Sequence, residues 1–112
     1  MSKEKINKEL LSSSPKRNRE WQESDSLTVI LIPKLGNHIL GKWLMAKMKN
    51  PNYKLNLDEI GSFVWQHCDG ANTVEAIGKK LAAEFGEKVE PVYERLNLFF
   101  ASLSKNKSII WV

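Results

Sequence analysis

Cysteine occurs once in this chain of 112 residues, at Cys68. A single thiol excludes an internal disulfide and any cysteine-rich zinc site. Histidine is almost as scarce, with only His38 and His67. Glycine is scattered: Gly36 and Gly41 are too isolated to build a loop that cradles phosphate. Long apolar runs are missing. The stretch Val29 to Ile32 falls far short of the roughly 20 apolar residues that a membrane-spanning helix requires. The opening segment "MSKEKINKELLSSSPKRNRE" lacks the apolar centre of a secretory signal. A reducing, cytoplasmic setting without a membrane partner is therefore expected. Acidic residues are absent from 27 to 57, which hold five lysines at 34, 42, 47, 49 and 54. The excess positive charge of the chain, +4 overall, thus sits in its middle third. Such a surface attracts anionic partners, but it equally describes a lysine-guarded sheet edge that resists aggregation.

Apolar and aromatic residues are plentiful by comparison. They make up 42% of the chain, with four Trp, four Phe and two Tyr. One small domain with a real core follows, because each large aromatic buries much area. Residues 1–26 are polar, and "SSSPKRNRE" breaks any pattern. They read as a mobile polar tail with a short helix near Ile6 to Leu11, leaving 27–112 as the folded domain.

"LTVILIP" is rich in β-branched residues and ends at Pro33, which predicts a strand over 27–32. In "ILGKWLMAKMK" Trp43, Met45 and Lys47 alternate with Leu44, Ala46 and Met48. Met, Ala and Lys also suit a helix, but the turn-forming "NPN" at 50–52 closes the segment, so a second strand is expected there. Tyr53, Leu55 and Leu57 alternate with Lys54 and Asn56, the period of a half-buried third strand. Asp58 is the expected cap of a first helix, with Asn56, followed three residues later by Glu59, as the competing start. Ile60, Phe63, Val64 and Cys68 lie on its apolar face, and Gly70 is its stop. A second helix begins at Asn72 or Thr73, carries Val74, Ile77, Leu81 and Phe85, and ends at Gly86. A third begins at Pro91, carries Val92, Leu96, Phe99, Phe100 and Leu103, and ends near Asn106. "SIIWV" supplies a last extended segment. Three strands followed by three helices, two of them joined as in a helix-turn-helix, predict a winged-helix-like α+β domain.

Catalytic chemistry finds little footing. His67 and Cys68 are neighbours on a helix and point about 100° apart, so structural roles are expected of both. Asp58 and Glu59 suit a first helical turn through the helix dipole, and Asp69-Gly70 is explained as a helix stop. A non-catalytic protein without metal or cofactor is expected.

The combined spacing of Leu57, Asp58, Gly61, Val64-Trp65, Cys68, Asp69-Gly70, Thr73-Val74 and Ile77 resembles the PqqD family, a small-protein family of coenzyme PQQ synthesis. The resemblance covers roughly 53–105, and more loosely the strands from 27. It implies a peptide-recognition domain for ribosomally made, modified peptides. There a precursor's leader segment adds a strand beside the third β-strand and against the third helix. Carried over, the strand is Tyr53 to Leu57 and the helix is Pro91 to Leu103. The expected peptide-binding residues are Tyr53, Lys54, Leu55, Asn56, Leu57, Arg95, Leu96 and Phe99. The implied partners are the leader peptide and a maturation enzyme, with a radical SAM enzyme as one candidate type.

Two other functions stay open at this point. A winged-helix DNA reader needs Lys, Arg, Asn or Gln along its recognition helix. The third helix offers Arg95 and Asn97 but also Glu94, with Glu87 and Glu90 just before it, which disfavours nucleic acid. An assembly module that forms a homodimer is the other, since an open sheet edge also accepts its own copy. Trp43 and Trp111 lie outside the helical stripes, as core residues or as anchors for a peptide.

Overall fold

A computed structural model of the chain describes residues 8–34, 46–50 and 52–112. After one helical turn, α1 (Lys8–Leu11), come three short strands: β1 (Pro15–Arg17), β2 (Trp21–Ser24) and β3 (Leu27–Pro33). β4 (Asn52–Asn56) leads into the helices α2 (Glu59–Gln66), α3 (Val74–Phe85) and α4 (Val92–Lys105). A 3₁₀ turn, Gly86–Val89, joins α3 to α4, and β5 (Ile109–Trp111) closes the described chain. The α+β class is as expected, with a three-stranded antiparallel sheet in the order β2-β3-β4.

The membership of that sheet is a correction. The anticipated middle strand, with Trp43, falls largely outside the described residues, and Ala46 to Asn50 run through a helical turn and bends. The third strand comes instead from the segment expected as a mobile tail. β2 pairs β3 from Trp21↔Ile30 to Ser24↔Leu27 across a tight turn at Asp25 and Ser26. Both turn residues have positive φ, 54° and 67°, the twist that suits a two-residue hairpin. All four β2 residues are exposed, so no alternation of burial marks the strand in the sequence.

β1 is a second correction to the tail. It pairs antiparallel with β5, while Arg17 N–H donates to Cys68 O at 3.0 Å and Gly70 N–H to Pro15 O at 2.9 Å. The "KRNR" run then closes two helices with side-chain donors. Arg17 Nη1 donates to Trp65 O (3.1 Å) and Gln66 O (3.0 Å) at the end of α2. Asn18 Nδ2 and Arg19 Nη2 donate to Lys107 O and Asn106 O, each at 3.1 Å, just beyond α4. Cationic donors at helix C-termini satisfy orphan carbonyls and complement the helix dipole.

The helices follow their sequence signals closely. Gly61 N–H donates to Asp58 Oδ1 at 2.8 Å, and Ala76 N–H to Thr73 Oγ1 at 3.1 Å, so both expected N-caps are made. α2 ends earlier than expected, at Gln66. Gly70, at φ 81°, lies in the connecting turn, where Asp69 Oδ1 accepts from the N–H groups of Ala71 and Asn72. The core gathers Ile30 from the sheet, Val64, Trp65 and Cys68 from α2, and Val74, Ile77 and Leu81 from α3. Leu96, Phe100 and Leu103 of α4 and Ile109 of β5 complete it. Phe85 and Phe99, expected in the stripes, are only half-buried. No helix among the described residues is long and apolar enough to cross a membrane.

Candidate functional site

β4 stands at the edge of its sheet. Among the described residues only β3 pairs with it. Leu57 N–H donates to Thr28 O at 2.9 Å, and the register Ile30↔Leu55 sets the alternation of an antiparallel ladder. Tyr53, Leu55 and Leu57 therefore turn their backbone groups toward β3. Lys54 and Asn56 turn theirs outward, where no other strand meets them among the described residues. Leu57 is buried and Leu55 is half-buried against the core. Tyr53 is 60% exposed, with the Lys34 ammonium 5.4 Å from its ring centroid. The apolar face thus fades toward the start of the strand.

Where β4 runs into α2, a groove of about 350 Å³ opens toward α4. Asn56, Leu57, Ile60 and Gly61 lie along it from the strand and α2, and Arg95, Leu96 and Phe99 from α4. Val64, Leu81 and Val89 contribute buried apolar surface to its lining. Five of the eight expected residues, Asn56, Leu57, Arg95, Leu96 and Phe99, are therefore brought together. Tyr53, Lys54 and Leu55 extend away from the groove along β4.

Sequence reasoning passed over Ile60, Gly61 and Val89 as site residues. Gly61 had a signal, because it is the small residue of the Leu57-to-Ile77 pattern. A Cβ there would meet Asp58 Oδ1 at 3.3 Å and Phe99 Cε1 at 3.4 Å, so a side chain would press into the groove wall. Val89 had none, being a lone apolar residue in the polar run "GEKVEP".

Arg95 is held at the rim by a 2.7 Å hydrogen bond from Nη1 to Lys88 O. That bond ties α4 to the 3₁₀ turn carrying Val89, and it uses one of the five guanidinium donors. The remaining donors supply positive charge beside the groove, and Lys54 carries a further positive charge farther along β4. The arrangement can pair the backbone of an extended chain, seat an apolar side chain and attract a carboxylate.

The sulfur and imidazole are committed to structure. Cys68 is fully buried, its thiol donates to Val64 O at 3.3 Å, and burial pushes its pKa up to about 12. A thiol kept protonated is a poor nucleophile or ligand. His67 Nδ1 donates to Phe63 O at 2.8 Å. Among the described residues no group of three or more His, Cys, Asp or Glu is placed to hold a metal ion.

The model of one protein family, coenzyme PQQ synthesis protein D (PqqD), matches residues 47–109, more than half of the chain. The chain belongs to the PqqD family. A search of curated proteins and a search of solved structures each return no match. The matched span contains β4, the groove and all eight expected site residues, and leaves β1 to β3 outside it. Within it, the residues shared with the PqqD pattern carry architecture. Asp58 and Thr73 cap helices, Asp69-Gly70 forms the turn between them, and Val64, Trp65, Cys68, Val74 and Ile77 fill the core.

Proposed function

We propose that this PqqD-family chain is a non-catalytic recognition protein for a ribosomally made precursor peptide. The leader segment adds a strand along the outer edge of β4 and seats side chains in the groove against α4. The protein then presents the bound precursor to a maturation enzyme of the PQQ-synthesis type, a radical SAM enzyme being the candidate, in the cytoplasm. The carrying observation is the outward backbone of Lys54 and Asn56 at an edge that no other strand among the described residues pairs, directly beside a groove lined by Leu57, Leu96 and Phe99. Main-chain pairing supplies sequence-tolerant affinity, and the pockets beside it supply selectivity.

Charge favours an acidic leader, through Lys54 and Arg95. Each such exposed pair contributes under about 1 kcal/mol, so the apolar contacts of Leu96 and Phe99 dominate. The test is an NMR titration with leader peptides from neighbouring precursor genes, beside a titration with duplex DNA at about 150 mM salt, where non-specific phosphate contacts weaken. Shifts confined to 52–57 and 92–103 with peptide, and none with DNA, are the expected result. Tight DNA binding centred on α4 without a peptide response refutes it.

A further inference from the structure

The other edge of the three-stranded sheet is as open as β4. Among the described residues β2 pairs only with β3. Leu31 N–H donates to Glu20 O at 2.9 Å, and the register runs on through Trp21↔Ile30 and Glu23↔Thr28. In an antiparallel ladder this phase turns the backbone groups of Trp21 and Glu23 outward. β2 thus offers two outward residues, as β4 does with Lys54 and Asn56. A hollow of about 240 Å³ adjoins its turn end, with Leu27, Phe63 and Phe85 as its apolar lining. The two Phe rings meet edge to face at 5.5 Å. By backbone and groove alone, an extended chain has two places to add a strand.

Charge separates the two places. Glu23, Glu59 and Glu84 stand around the hollow beside β2, all three exposed, and Glu20 and Asp25 flank the strand. Among the described residues no ion pair neutralises any of these five. The cations nearby are Arg17, stacked over Trp21, and Arg19. Each already gives a donor to carbonyls at the end of a helix. The balance at β4 is reversed. Arg95 lies at the rim of its groove and Lys54 farther along the strand. The carboxylate there, Asp58, is engaged with Gly61 N–H as a helix cap.

We infer that the opposite charge of the two edges decides where a leader adds, with Glu23 and Glu84 holding an acidic leader off β2. The inference rests on the reading of β4 as the strand that receives the leader. Like charges set opposite each other across a strand pair destabilise it. Charge that rejects the wrong site adds a selectivity that attraction to the right one does not supply. Glu23 is central, because the same residue carries an outward backbone and a carboxylate at the hollow. Glu84 brings a second carboxylate to that hollow from the end of α3. The consequence is one bound leader per chain, always at the β4 groove.

NMR titrations of the full chain with two capped peptides of about seven residues test this. One alternates leucine with glutamate, the other leucine with lysine. The glutamate peptide should shift the amides of 52–57 and leave 21–24 unmoved, and the lysine peptide should shift 21–24. Combining Glu23→Lys with Glu84→Lys, both at exposed positions, should admit the glutamate peptide to 21–24 and raise its stoichiometry from one to two. The response at 52–57 should stay as in the parent chain. A parent β2 that takes the glutamate peptide as readily as β4, or that ignores the lysine peptide, overturns the inference. So does a double variant whose residues 21–24 stay silent. A double variant that responds at 21–24, with 52–57 silent in both chains, upholds the exclusion by charge and refutes the leader site at β4 instead.

Discussion

Arg17→Ala probes the reassignment of the N-terminal segment most directly. The guanidinium donates from one nitrogen to the last two carbonyls of α2, at 3.1 and 3.0 Å, and stacks 4.8 Å above the Trp21 ring. Trp21 in turn meets the buried Trp65 edge-on at 5.8 Å. A hydrogen bond from a charged donor contributes at least about 1.5 kcal/mol. The two bonds share one nitrogen on a half-buried side chain, so they count as one at the lower end of that range. A cation at a helix C-terminus adds about 0.3 to 1 kcal/mol, and a cation over an exposed aromatic face about 0.5 to 1. The sum is roughly 2.3 to 3.5 kcal/mol against a typical domain stability of about 5 to 15. At about 4 °C or more per kcal/mol for a domain near this size, the melting temperature should fall by roughly 10 °C. Urea denaturation with an unchanged slope would assign the loss to the folded state. Arg17→Lys should recover part of it, because an ammonium keeps the charge but loses the planar stack. A loss below about 0.5 kcal/mol, the scale of an ordinary surface change, would refute the clamp and restore the reading of this segment as a solvated tail.

Gly78→Ala should destabilise the fold even though alanine is the better helix former by about 1 kcal/mol, because a Cβ there would overlap the Tyr93 ring. In a Tyr93→Ala background the same change should turn neutral or stabilising in thermal melts, and a stabilising effect in the parent chain would refute the contact. Cys68 should resist alkylation at pH 8 unless the protein opens, since burial holds its thiol at about 12. The unfolded chain ionises near the ordinary 9.0, so folding prefers the protonated thiol, and its stabilising share, complete below pH 9, should decline between pH 9 and 12. That part of the decline should be missing from Cys68→Ala, and rapid labelling of the folded chain would refute the burial.

Helices were legible in this sequence because their signals are local and redundant. Asp58 and Thr73 announce helix starts, Gly86 and Asn106 announce ends, and the stripes of α3 and α4 repeat at helical spacing. The strands were legible where burial alternates or runs continuously, as in β3 and at Leu55 and Leu57, or where β-branched residues cluster, as in β5. β2 escaped notice because all of its residues are exposed, and β1 because its contribution is made by polar groups. Lys16, Arg17, Asn18 and Arg19 read as a solvated run, yet three of them close the ends of helices far away in sequence. Side-chain bonds to distant carbonyls leave no periodicity to detect.

The same contrast explains how much of the site was visible. Leu57, Leu96 and Phe99 sit on patterned elements, so their faces could be assigned before the fold was known. Val89 reaches the groove only because the 3₁₀ turn brings it under α4, where Arg95 holds that turn through Lys88 O. Arg95 therefore acts at the groove twice, as a rim charge and as the tie that positions the apolar lining beneath it. The two roles separate under substitution. Arg95→Lys keeps the charge but replaces a planar donor fork with a point donor, so acidic peptides should still be attracted while the Val89 side of the groove loosens. If leader binding depends on groove shape more than on charge, Arg95→Lys should weaken it nearly as much as Arg95→Ala does, with the affinity of both variants nearly insensitive to salt. A Lys variant that binds like the parent chain would show that charge alone is what this residue contributes.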